Sequence, residues 1–144
     1  MLLVQQSFSV DNSEALTITG SGNIDQITGG SGTDIINAGN GANTVQGLTG
    51  NDNLSAGSGA DSLAGAAGAD TLSGGGGVDT LTGGGGNDII SGGTGADALT
   101  GGSGNDVITG GVDNDNMTGG SGNDTFNVDS GTDTITDLST GDIL

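Results

Sequence analysis

The sequence contains no lysine, arginine, histidine, cysteine, proline, tryptophan or tyrosine, and its only aromatic residues are Phe8 and Phe126. Without cysteine it has no disulfide framework. Without a basic side chain, nothing internal answers 17 aspartates and Glu14, and a compact chain of net charge −18 repels itself. The same absence removes any electrostatic drive towards nucleic-acid phosphates or anionic membranes. No apolar run is long enough to span a bilayer, and the opening Met1–Gln6 lacks the basic and long apolar stretches of a secretory signal peptide. Large apolar side chains are too few for a conventional core. With no His, Cys, Lys, Arg or Tyr, the groups that serve as base, nucleophile or oxyanion partner are missing, and no enzymatic activity is expected.

What is present is glycine, 34 of 144 residues, together with aspartate. High glycine, high charge and few aromatics describe a disordered chain when the charges are scattered. Here they are not. Asp25, Asp34, Asp52, Asp61, Asp70, Asp79, Asp88, Asp97, Asp106, Asp115, Asp124, Asp133 and Asp142 fall on one nine-residue comb, whose single missing tooth is Asn43. Two residues after each comes an apolar residue, from Ile27 and Ile36 through Leu54, Leu72, Leu81, Ile90 and Ile108 to Phe126, Ile135 and Leu144. Glycine fills most of the first, second and fourth places of each unit.

The spacing suits a hard cation. Calcium takes six to eight oxygen ligands, from carboxylates and backbone carbonyls. The comb supplies the carboxylates, and a glycine-rich turn can aim carbonyls inward. The short segment around each apolar residue, as in Thr71-Leu72-Ser73, alternates one inward side chain between two outward ones, the pattern of a strand.

The units Gly83–Ser91 and Gly101–Thr109 read G-G-x-G-x-D-x-U-x, with U a large apolar residue. They resemble the repeats-in-toxin (RTX) calcium-binding nonapeptide, and the resemblance covers roughly residues 20 to 144. It implies an all-β, right-handed parallel β-roll, a β-solenoid with two nonapeptides per 18-residue coil and about seven coils. At about 4.8 Å per strand the stack is roughly 34 Å long. One edge then carries Asp25, Asn43, Asp61, Asp79, Asp97, Asp115 and Asp133, and the other Asp34, Asp52, Asp70, Asp88, Asp106, Asp124 and Asp142. The resemblance further implies calcium between adjacent turns, held by aspartates of both and by carbonyls. Up to about twelve ions are expected, and fewer well filled, because twelve divalent ions overshoot the chain's charge. Folding and binding are expected to be one event.

Departures from the pattern set local expectations. Asn43 keeps an oxygen but loses a charge, so sites beside it are expected to be weaker. Asp113 replaces a fourth-place glycine and either distorts its turn or adds a ligand; a modified but occupied site is expected. Leu48 and Ala66 replace second-place glycines. Asn23 and Thr140 replace fourth-place ones, and asparagine tolerates positive φ better than threonine. The last unit, Asp137 to Leu144, is the least typical.

Residues 1–19 form a separate segment, with Leu2, Val4, Phe8 and Val10 loosely alternating as one or two strands that cap the first coil or join another subunit. The chain stops at a core position, which suggests either a piece of a larger exported protein or head-to-tail association of copies. These features lead to an extracellular or cell-surface, calcium-dependent structural protein that self-assembles into filaments or a layer. The alternatives are a calcium-triggered folding and secretion module of an exported toxin, protease or lipase, and an ice- or surface-binding roll presenting Asn87, Asn105 and Asn123, a ladder interrupted by Ala69. By family analogy, export is through a dedicated one-step channel of a Gram-negative bacterium.

Overall fold

A computed structural model describes residues 13–144 and the backbone of Gln6–Ser9. Leu2, Val4 and Val10 lie outside the described residues. Strands are numbered in chain order and alternate between two parallel sheets. One holds β1 (Gln6–Ser9), β3 (Asp25–Gly30), β5 (Thr44–Thr49), β7 (Ser62–Ala67), β9 (Thr80–Gly85), β11 (Ala98–Ser103), β13 (Asn116–Ser121) and β15 (Thr134–Ile135). The other holds β2 (Thr17–Thr19), β4 (Ile35–Asn37), β6 (Asn53–Ser55), β8 (Thr71–Gly76), β10 (Ile89–Thr94), β12 (Val107–Val112) and β14 (Thr125–Asn127). No helix occurs among the described residues.

The register advances by 18 residues per coil. Leu99 lies between Leu81 and Met117, and Ile90 between Leu72 and Ile108. Each coil therefore contributes one strand to each sheet, and about seven coils stack as a β-solenoid. β1 joins the same ladder with a longer step, Gln6 facing Asp25 and Phe8 facing Ile27.

The apolar comb forms a single inner column. Ile27, Ile36, Val45, Leu54, Leu63, Leu72, Leu81, Ile90, Leu99, Ile108, Met117 and Phe126 are all at most 3% exposed. Burying one such side chain contributes about 1.5–3 kcal/mol, while ordering nine backbone residues costs about 1–2 kcal/mol each. One apolar residue per nonapeptide does not offset that alone. The coil also needs its backbone ladder and a solution to its charge.

Nine of the strands run six residues, not the three that the x-U-x pattern suggests. In β9, Thr80-Leu81-Thr82-Gly83-Gly84-Gly85, both Leu81 and Gly83 point inward and are buried. The strand continues because its second inward place needs no side chain; an aspartate fills that space. β4, β6 and β14 stop after three residues, where the first place of the next unit is Ala38, Ala56 or Val128.

Candidate metal centre

The two edges of the roll carry the aspartate comb in the expected order. From Asp25 to Asp124 every comb residue is at most 3% exposed, Asn43 included; Asp133 is half-buried. Sequence reasoning did not anticipate this depth of burial. Along each edge a repeated hydrogen bond links successive coils: the backbone N–H of one comb residue donates to Oδ1 of the comb residue 18 positions later. The bond recurs from Asp25–Asn43 to Asp124–Asp142 at 2.6–3.0 Å.

The second carboxylate oxygen is treated differently along the chain. In Asp52, Asp61, Asp70, Asp79, Asp88, Asp97, Asp106 and Asp115, Oδ2 is buried and has no hydrogen-bond partner. These are four consecutive aspartates on each edge. Ten comb aspartates are preceded, five residues earlier, by an inward glycine whose missing Cβ would meet that Oδ2. At Gly83 the same point lies 2.8 Å from the carbonyl oxygen of Gly101 in the next coil, and at Gly92 it lies 2.7 Å from that of Gly110. Acceptors therefore face acceptors with no donor between them. A bare carboxylate oxygen out of water is strongly unfavourable.

The proton affinities express the same conflict. Burial raises the carboxyl groups of Asp52, Asp61, Asp70, Asp79, Asp106 and Asp115 above their ordinary value, opposed by the N–H each accepts. Asp88 and Asp97 are pushed up to about 6 by burial, with the charges of Asp106 and Asp70, and of Asp79, Asp115 and Asp113, adding to it. Asp142, half-buried, moves the other way, because N–H groups of Asp124 and Ser139 hold its charge.

Among the described residues no three acidic side chains gather closely enough to enclose a metal by themselves. Any ion must draw on backbone carbonyls as well. The turns provide them: a Cβ on the second-place Gly102 or the fourth-place Gly104 would run into the carbonyl oxygen of Gly84 or Gly86, one coil earlier. Carbonyls of the second and fourth places thus point along the stack, between turns. The donor set is oxygen only, anionic and buried, which fits calcium. The residues that would hold it are the eight aspartates with an unpaired Oδ2, aided by the turn carbonyls; bound calcium supplies the positive charge that the chain itself lacks.

A family model describing the RTX calcium-binding nonapeptide repeat, in groups of four copies, matches residues 17–45, 38–72, 46–81, 65–99, 73–108 and 100–135. These matches run without a gap over most of the chain. The chain belongs to the RTX calcium-binding nonapeptide repeat family. A search of curated proteins finds no match to it. The RTX turns explain the comb, and they also show where this chain departs from it.

Leu48, Ala66 and Asp113 adopt the left-handed conformation of the glycines they replace, at φ of 84°, 84° and 87°. Asp113 keeps the turn's course and leaves its side chain exposed. Asn23 and Thr140 do not take that conformation; in the last unit Gly141 does, at φ 114°. In the first turn, Ser21 instead donates its N–H and hydroxyl to Asp25. Asp34 Oδ2 receives the N–H of Gly30 at 2.9 Å. Asp137, outside the comb, accepts from the N–H groups of Gly119 and Gly120. Asn43 is in the comb but presents its amide nitrogen, a donor, to its own turn. No periodicity signalled these pairings, which depend on single departures from it.

Proposed function

We propose that this RTX roll is an extracellular structural element that folds only when calcium fills its edges, and that it acts without a catalytic site of its own. One observation carries the reading: eight buried carboxylate oxygens lack a partner in a chain that has no cationic side chain. At the submicromolar calcium of a cell interior such a chain stays expanded and suited to export. At millimolar calcium outside it coils. Folding and binding are then linked, since ligands brought together only in the fold bind the ion only there.

Head-to-tail association of copies into filaments or a layer extends this reading. The alternative of a folding module within a larger exported toxin or enzyme shares the calcium step and differs in the absence of self-assembly. An ice- or surface-binding ladder of asparagines is not favoured: Oδ1 of Asn87 and of Asn105 accepts the backbone N–H of the next coil, at 2.8 Å each, and so serves the stack.

Light scattering in millimolar calcium and in chelator separates these readings. Large polymers with calcium support the assembling protein. A compact 13.5 kDa monomer supports the folding module. A chain unchanged by calcium contradicts both.

A further inference from the structure

Asn43 is the one interruption of the comb, and its surroundings fix which way its amide points. Nδ2 lies 3.0 Å from the carbonyl oxygen of Gly39 and 3.0 Å from that of Gly41, the second and fourth places of its own turn. Oδ1 accepts the N–H of Asp25 at 2.9 Å. Turning the amide over would set an oxygen against two carbonyls and an NH₂ against an N–H, losing all three bonds. The side chain is 2% exposed, so water does not compensate.

In the eight turns with unpaired aspartates, the equivalent side-chain atom is an oxygen without a donor. At Asn43 it is a nitrogen carrying two protons, aimed at the carbonyls that an ion between turns would need. We infer that the amide of Asn43 occupies the place of the cation, so that this turn closes without calcium. The first two turns are satisfied in a related way, by Ser21 on Asp25 and by Gly30 on Asp34. Asn43 therefore closes a calcium-independent start to the roll, and the calcium-requiring turns begin at Asp52. This inference rests on the calcium reading above and refines the sequence-based expectation that sites beside Asn43 are merely weaker.

The test counts bound calcium per chain by equilibrium dialysis of metal-stripped protein against calcium chloride, for the natural sequence, Asn43→Asp and Asp79→Asn. The expected result is one ion more for Asn43→Asp and one fewer for Asp79→Asn, whose new amide can reach the carbonyls of its own turn. An unchanged count in either variant overturns the inference while leaving the calcium reading intact. No bound calcium in the natural sequence overturns the calcium reading itself. Should Asn43→Asp fail to fold, the natural calcium-loaded protein still decides: scalar couplings across hydrogen bonds from Asn43 Nδ2 to the carbonyl carbons of Gly39 and Gly41 are expected, and their absence with rapid amide exchange overturns the inference.

Discussion

Replacing Gly92 by alanine tests the link between the glycine and aspartate combs. Gly92 is buried, and its backbone does not require positive φ. Any effect therefore comes from space. The new Cβ would meet Asp97 Oδ2, lie 2.7 Å from the carbonyl oxygen of Gly110 and 3.0 Å from Asp97 Cβ. The carboxylate cannot retreat without straining the ladder bond that Asp79 donates to Asp97. Overpacking of this kind costs about 1–3 kcal/mol. At about 4 °C per kcal/mol for a domain of this size, about 2 kcal/mol lowers Tm by about 8 °C at saturating calcium. The half-saturating calcium concentration is a poorer readout. About 2 kcal/mol shared over about eight cooperative ions moves it only about 1.5-fold. Gly85→Ala is the matched control: its Cβ would sit 3.4 Å from Ser103 Oγ and 3.9 Å from the Ala66 carbonyl oxygen, ordinary contacts. Thermal unfolding by circular dichroism, paired with a calcium count, reads the outcome. Gly92→Ala should lose stability and one ion, and Gly85→Ala neither. Equal behaviour of the two variants would refute the reasoning.

Three further outcomes follow from the same geometry. The raised carboxyl groups favour the neutral form in the fold, so the metal-free roll is most stable below about pH 3.8 and loses that contribution as pH rises through about 6; circular dichroism of metal-stripped protein should show more structure at pH 4 than at pH 7, while calcium affinity falls with acidification. Ala66→Gly removes a left-handed alanine at φ 84°, whose strain of about 1–2 kcal/mol exceeds the entropy that glycine costs; Tm of the calcium form should rise by a few degrees and the ion count should not change. Asp137→Ala strips the acceptor from the N–H groups of Gly119 and Gly120 and should cost about 1–2 kcal/mol in denaturant unfolding, again at constant ion count.

The inner face was legible because two combs share one nine-residue period, which turns Leu81, Ile90 and Leu99 inward; the 18-residue coil was legible only through the resemblance to the RTX nonapeptide, since that period does not say how many units make a coil. The edges carrying Asp61, Asp79 and Asp97, or Asp70, Asp88 and Asp106, were legible for the same reason. The length of the strands was not, since a pattern of side chains does not show that Gly83 or Gly92 leaves an inward place for a carboxylate. Nor was the direction of the Asn43 amide, which three neighbouring backbone groups decide. Asn23 seemed suited to a left-handed turn by its residue type, but Ser21, through its bonds to Asp25, gives the first turn another course.

The central claim is that the unpaired carboxylates forbid this fold until calcium arrives. Small-angle X-ray scattering on metal-stripped protein at pH 7, before and after calcium, tests it most directly. An unfolded chain of 144 residues has a radius of gyration of about 39 Å and a compact one about 15 Å, slightly more for an elongated roll. The account predicts a value near the first without calcium and, per chain, near the second with it. A compact, ordered chain at pH 7 with no divalent ion would contradict it.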